Sequence, residues 1–133
     1  ITLPLMLTML IPLFMIKEGE KYGYLILPNA SEQETADYDV SDVEVLSLNG
    51  KIHAAREKSS ALYGIVFRES GEMCGIQAEH GLIAMMKQDE AAKITSLIIC
   101  DPTQKRDNIS LSVEGTKFEI ETDSARGRAY RII

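Results

Sequence analysis

Polar and apolar residues alternate along several short stretches of this chain, and the alternation predicts β-strands. Two such stretches, 43–48 and 51–56, flank Asn49-Gly50, a dipeptide typical of the two-residue type I′ turn of a hairpin. Similar stretches between turn residues predict further strands at 22–27, 62–67, 73–77, 94–100, 109–113, 118–121 and 130–133. The chain therefore favours antiparallel pairing between neighbours in sequence.

Residues 79–93 have a different pattern, which predicts a helix. Leu82, Ile83 and Met86 recur at helical spacing, and charged residues occupy the other side from Lys87 onward. The predicted fold class is α+β, mainly an antiparallel sheet built from hairpins with one principal helix. At 133 residues the chain is long enough to bury a core, and we expect a single domain over 1–133.

The first sixteen residues, ITLPLMLTMLIPLFMI, form an uncharged segment that we name the apolar head (residues 1–16). It is short for a membrane-spanning helix, and Pro12 would interrupt such a helix. We expect buried extended segments here, with a membrane-associated or partner-bound segment as the alternatives. The head also lacks the features of an export signal, which favours a cytoplasmic location over an exported one.

The net charge of −6 is concentrated in one region. Between Tyr22 and Asn49 there is no Lys or Arg, and the stretch contains six acidic residues. Five of the six lie in a predicted acidic loop (residues 29–42), namely Glu32, Glu34, Asp37, Asp39 and Asp42. Basic residues cluster at the other terminus in a basic tail of Arg126, Arg128 and Arg131. Opposite charges of this kind predict contacts with a protein partner or between copies of the chain. A pI near 4.9 disfavours the binding of nucleic acid. The alternative is a small basic patch for nucleic acid, formed by Lys105-Arg106 together with the basic tail.

Candidates for chemistry are few. Cys74 with His80 could form a thiol nucleophile and its base, and Cys74 with Cys100 could form a disulfide in an exported protein. Asp37, Asp39 and Asp42 form D-x-D-x-x-D, whose oxygens could bind a hard cation, but the spacing departs from a calcium-binding loop. No phosphate-binding or nucleophile-elbow motif occurs, so we expect no cofactor and favour a protein without catalytic machinery.

The stretches GLIAMMKQ and ISLSVEG have apolar spacing that resembles one repeat unit of the DNA sliding clamps. The resemblance covers less than half the chain and implies a clamp-like subunit of a nucleic-acid-processing complex as one alternative. The function predicted from the residues is a non-catalytic interaction or assembly subunit that uses the apolar head, acidic loop and basic tail. Two more functions stay open, namely an exported or membrane-associated domain with a Cys74–Cys100 disulfide and a small Cys-dependent enzyme.

Overall fold

A computed structural model describes residues 10–14, 23–122 and 127–133. The chain separates into two compact units, Ile1–Val40 and Ser41–Ile133. In the first unit, strands β1 (Leu10–Phe14) and β2 (Gly23–Ile26) pair antiparallel. Part of the apolar head is therefore extended, as its sequence predicts, and its other residues lie outside the described ones. Within the described residues, no helix has the length and apolar character needed to cross a membrane.

The acidic loop, for which no helix was predicted, contains one short helix. Helix α1 (Glu32–Asp37) begins after Ser31, whose hydroxyl accepts a hydrogen bond from the N–H of Glu34. The Glu34 carboxylate accepts in return from the N–H of Ser31, at 2.8 Å, and this hydrogen bond lowers the pKa of Glu34. The Ser-x-x-Glu spacing is a capping box, a signature that is visible in the sequence. A 3₁₀ turn (Val40–Asp42) follows.

In the described residues of the second unit, ten strands form two antiparallel sheets. The six-stranded sheet has the order β12-β9-β8-β5-β4-β3, and the four-stranded sheet has the order β11-β10-β7-β6. Their bounds are β3 (Val43–Leu48), β4 (Ile52–Glu57), β5 (Leu62–Phe67), β6 (Gly71–Met73), β7 (Ile76–Ala78), β8 (Leu82–Gln88), β9 (Ile94–Cys100), β10 (Asn108–Val113), β11 (Thr116–Glu121) and β12 (Tyr130–Arg131).

The apolar core lies between these two sheets. Every second residue of the central strands is buried, including Ile65 and Phe67 on β5 and Ile109 and Leu111 on β10. Side chains from both sheets form one continuous cluster, which is the arrangement of a β-sandwich. The predicted α+β class is wrong, because this unit is built from two packed sheets without a principal helix.

The helix predicted at 79–93 is the reason for that error. Residues Leu82–Gln88 form strand β8, which pairs with β5 on one side and β9 on the other. Leu82, Ala84 and Met86 are at most 1% exposed, whereas the intervening Met85 is 51% exposed. Leu, Ala, Met and Lys favour helices, but their burial between two strands and against the second sheet overrides that weak preference.

The Asn49-Gly50 hairpin forms as predicted, but its turn is of another kind. Neither residue has a positive φ, so the type I′ turn is absent. The Asn49 side-chain Oδ1 instead accepts from the N–H groups of Lys51 and Ile52, both at 2.8 Å. Two-residue turns with positive φ at both positions occur at Cys74-Gly75 (52° and 81°) and Glu114-Gly115 (49° and 83°).

Candidate functional site

One end of the sandwich gathers several loops that are distant in sequence. Phe67 at the end of β5 pairs with Leu82 at the start of β8, and Ile83 pairs with Cys100 at the end of β9. The segments that follow β5 and β9 therefore emerge at the same end, and so does the segment that precedes β12, since Tyr130 pairs with Ile99. We name this the cationic end, after the exposed side chains of Arg68, Lys105, Arg106 and Arg128 that it carries.

Asp101 organises the loop between β9 and β10. Its side chain is buried, with the residue 3% exposed, and its carboxylate accepts hydrogen bonds from the N–H and hydroxyl of Thr103 at 2.9 and 2.8 Å. The Oδ2 atom also accepts from the N–H groups of Lys105 and Arg106 at 3.0 and 2.9 Å. The loop is thereby wrapped around one carboxylate, and the two consecutive cationic side chains face solvent.

The same contacts hold Asp101 in its charged form. Burial alone would raise the pKa of this carboxyl. The hydrogen bonds from Arg106, Thr103 and Lys105 outweigh burial and lower the pKa to about 2. Asp101 is therefore anionic at neutral pH, but its charge is directed at backbone N–H groups, so it neutralises neither Lys105 nor Arg106 by an ion pair.

The four side chains of the cationic end have no partner among the described residues. Over residues 23–122 and 127–133, none of them takes part in an ion pair or hydrogen bond, although the backbone of Arg68, Lys105 and Arg106 does. Nearby, Glu69 is paired with Lys51 at 2.9 Å. Glu121 is an exposed carboxylate opposite Asn108. Asp107, beside Arg106, is exposed as well and has an interaction of its own, so the described residues of this end place four cationic side chains against the carboxylates of Asp101, Asp107 and Glu121, in a chain whose net charge is −6.

Two contacts hold the loops of this end together. A Cβ added to Gly127 would lie 2.7 Å from the Gln104 side chain, so the segment carrying Arg128 lies directly against the loop carrying Lys105. Thr122, almost fully buried, donates its hydroxyl to the Arg106 carbonyl and its N–H to the Asp107 carbonyl. Arg68 follows β5, two strands from β9, or roughly 10 Å across the sheet.

His80, a predicted general base, has a structural role. Its Nδ1 lies 2.9 Å from the Gly81 carbonyl, and its Nε2 accepts from the N–H of Ser110 at 3.0 Å. This places the proton on Nδ1 and connects the segment between β7 and β8 with β10. Both ring nitrogens are occupied by backbone groups, so the ring has no nitrogen directed at a thiol.

Cys74 and Cys100 are both free thiols. Cys74 lies in the β6–β7 turn, where a Cβ on the adjacent Gly75 would lie 3.7 Å from Ile94 at the start of β9. Cys100 lies at the other end of β9, about 20 Å along the strand. Burial raises the pKa of both thiols, partly opposed at Cys74 by Arg56 and reinforced at Cys100 by Asp101. An activated nucleophile requires a lowered pKa.

The carboxylates proposed from D-x-D-x-x-D have separate partners. Asp37 accepts from the side chain of Gln33 at 2.8 Å. Asp42 accepts from the N–H and hydroxyl of Ser59 at 2.8 and 2.6 Å and so holds the β4–β5 turn. Asp39 is exposed and has an interaction of its own. Among the described residues, no group of three or more Asp, Glu, His and Cys side chains could hold a metal ion.

The predicted interaction residues occupy different settings. Glu32 and Glu34 are exposed in the first turn of α1. Arg128 is exposed at the cationic end, whereas the guanidinium of Arg131 donates to the Ser96 hydroxyl at 2.8 Å. Arg126 lies outside the described residues. The involvement of these side chains in a partner contact stays a prediction.

Comparison with known proteins relates this sandwich to enzymes that act on polysaccharides. A family model described as "Polysaccharide lyase family 8, C-terminal beta-sandwich domain" matches residues 44–110, from β3 into β10 and half of the chain. The chain belongs to this domain family. No curated protein sequence matches the chain.

A solved structure of a chondroitinase AC lyase is similar to this chain. That structure describes the enzyme's active site from enzyme–oligosaccharide complexes and mutagenesis. The TM-score is 0.52 at 20% sequence identity, and the match covers 84% of this chain. It covers only 16% of that enzyme's chain, so the likeness concerns the fold of one part of a much larger protein.

The family assignment corrects the function predicted from the sequence. A non-catalytic interaction or assembly subunit is wrong, because the match is to a domain of polysaccharide lyases. The same match gives no support to a sliding-clamp subunit. The predicted disulfide is not formed, and the raised pKa of both thiols argues against a Cys-dependent enzyme.

Sequence reasoning found part of the cationic end and missed the rest. Lys105-Arg106 together with the basic tail was an alternative basic patch, and the structure does bring Arg128 next to that loop. Arg68 was missed because it is 37 residues away from Lys105 and only strand pairing brings it to this end. The sequence feature that could have located this end is that the turns after β5 and β9 both contain basic residues.

Proposed function

We propose that this chain is the C-terminal type β-sandwich domain of a polysaccharide lyase and serves that enzyme's action on its substrate. The observation that carries the proposal is the family match over residues 44–110, which includes five strands of the six-stranded sheet and, in the four-stranded sheet, β6, β7 and the first half of β10. The likeness of fold to a part of a chondroitinase AC lyase supports it.

The chemistry of a polysaccharide lyase restricts the class of polysaccharide that can be its substrate. A lyase cleaves a glycosidic bond by elimination, which removes a proton from a carbon next to a carboxylate and leaves a double bond in the product. Polysaccharides cleaved in this way contain uronic acids and are therefore anionic. The proposed substrate class is an anionic uronate polysaccharide of the chondroitin type.

Within the described residues, three groups suited to proton transfer contact other parts of the fold. Both nitrogens of His80 contact backbone groups, the Tyr63 hydroxyl accepts from Arg56, and the Tyr130 hydroxyl donates to the Thr122 carbonyl. We therefore assign proton transfer to none of these three side chains.

The test uses the full-length natural protein that contains this sequence. It is incubated with chondroitin sulfate and, separately, with uncharged dextran, and ultraviolet absorbance follows the formation of unsaturated uronate ends. We expect unsaturated products from chondroitin sulfate and no cleavage of dextran. Cleavage that produces new reducing ends without unsaturation would indicate a hydrolase and overturn the proposal, as would failure to cleave any of a panel of uronate polysaccharides.

A further inference from the structure

The cationic end has the chemistry of a binding surface for an anionic polymer. Four cationic side chains on three separate segments face solvent there without an ion pair among the described residues. Lys51 and Arg56 are paired with Glu69 and Glu44, whereas Lys58, Lys87 and Lys93 at the opposite end of the sandwich also lack an ion pair among the described residues. The cationic end differs from that end in its guanidinium groups, since three of its four cationic side chains are Arg.

We propose that the cationic end binds the anionic polysaccharide, through Arg68, Lys105, Arg106 and Arg128, at a site separate from the cleavage reaction. This inference rests on the proposed function for the nature of the ligand. The loop geometry is fixed before binding, because Asp101 holds the backbone of Lys105 and Arg106 with two hydrogen bonds. A preformed loop reduces the ordering cost that binding would otherwise incur.

Spacing also suits a polymer better than a small anion. Lys105 and Arg106 are adjacent, Arg128 lies on the segment packed against Gln104, and Arg68 is about 10 Å away across the sheet. An extended chain with a charge on each repeating unit can contact all of these side chains together. Binding should weaken as salt rises, because the polymer releases condensed counterions when it is bound.

The opposite end of the sandwich offers a matched control. Lys87 and Lys93 are exposed, belong to β8 and to the β8–β9 loop, and form no ion pair within the described part of the chain. The variant K87Q/K93Q removes the same charge as K105Q/R106Q but from the other end. Glu121 supplies a test of opposite sign, because E121Q removes a carboxylate next to Thr122, whose hydroxyl contacts Arg106.

The experiment measures binding of the 133-residue chain to chondroitin sulfate by titration calorimetry at two salt concentrations. We expect K105Q/R106Q to weaken binding roughly ten- to thirtyfold, K87Q/K93Q to change it less than about threefold, and E121Q to strengthen it. Thermal unfolding of each variant checks that the fold is retained. Equal loss in both double variants, equal binding of dextran, or no binding by the unaltered chain would overturn the proposal.

Two further outcomes separate this inference from the proposed function. Tighter binding of a short DNA duplex than of chondroitin sulfate would overturn the polysaccharide site in favour of a nucleic acid partner. If the full-length protein forms unsaturated products while K105Q/R106Q binds normally, the site fails and the lyase assignment stands. If the site responds as expected but no elimination occurs, the lyase assignment fails and the site stands.

Discussion

Asp101 shows how much one buried carboxylate can fix in a loop. The hydrogen bonds that it accepts lower its pKa to about 2, against an ordinary value of 3.8. A group whose pKa is depressed in the folded state stabilises the fold above its unfolded pKa, and that stabilisation is lost as the pH falls. The relevant window lies between about pH 4 and pH 2, and the difference corresponds to about 2 kcal/mol.

The variant D101N tests how much the Asp101 carboxylate stabilises the fold. We expect the free energy of unfolding at pH 7 to fall by about 2 kcal/mol, because an amide accepts these hydrogen bonds less strongly and places an N–H₂ group against donors. Urea unfolding between pH 7 and pH 2 provides the measurement. E90Q, at an exposed position, is the matched control, and a similar loss of stability in both variants would contradict this role for Asp101.

Two glycines in hairpin turns test how backbone conformation at a single residue affects stability. A Cβ at either Gly50 or Gly115 would meet no atom within 4 Å, but Gly115 has a φ of +83°. G115A should therefore lower the free energy of unfolding by roughly 1–2 kcal/mol through backbone strain alone, while G50A changes it by less than about 0.5 kcal/mol. Chemical denaturation of both variants decides this, and equal effects would contradict the turn geometry.

At the scale of elements, strand β8 is the most informative case. Its composition favours a helix, and Ile83 and Met86 are close together on a helix surface. In the strand, Met86 is 1% exposed and points into the sandwich, whereas Ile83 and Met85 are 37% and 51% exposed on the other face. Residues 82–86 are all apolar, so the sequence has no two-residue alternation of polarity that would mark this strand.

Alanine substitution at two adjacent methionines distinguishes a strand from a helix at residues 82–88. M86A should destabilise the protein by roughly 3 kcal/mol, because it leaves a cavity between the sheets, while M85A should cost less than about 0.5 kcal/mol. The midpoint of urea unfolding provides the measurement for both variants. Comparable losses at the two positions would contradict the alternating burial of a strand.

At the scale of the whole molecule, the sandwich has its own core. All of the fully buried apolar residues among those described lie between Ala54 and Val113, within the unit Ser41–Ile133. A fragment of residues 41–133 should therefore unfold in one cooperative transition and show the dispersed amide spectrum of a folded protein. Broad thermal unfolding, or a collapsed amide spectrum, would show that the sandwich depends on residues 1–40.

Most strands could be located from the order of amino acids alone, because alternating side chains and turn residues are local information. That order predicted 62–67 and 94–100 as strands with the bounds that the structure gives, and the hairpin around Asn49-Gly50. Packing in the folded chain was needed to make residues 82–88 a strand, since their burial comes from β5, β9 and the second sheet. Packing also determines which charges meet, because pairing of distant strands brings Arg68, Lys105 and Arg128 to one end, and no local pattern encodes that pairing.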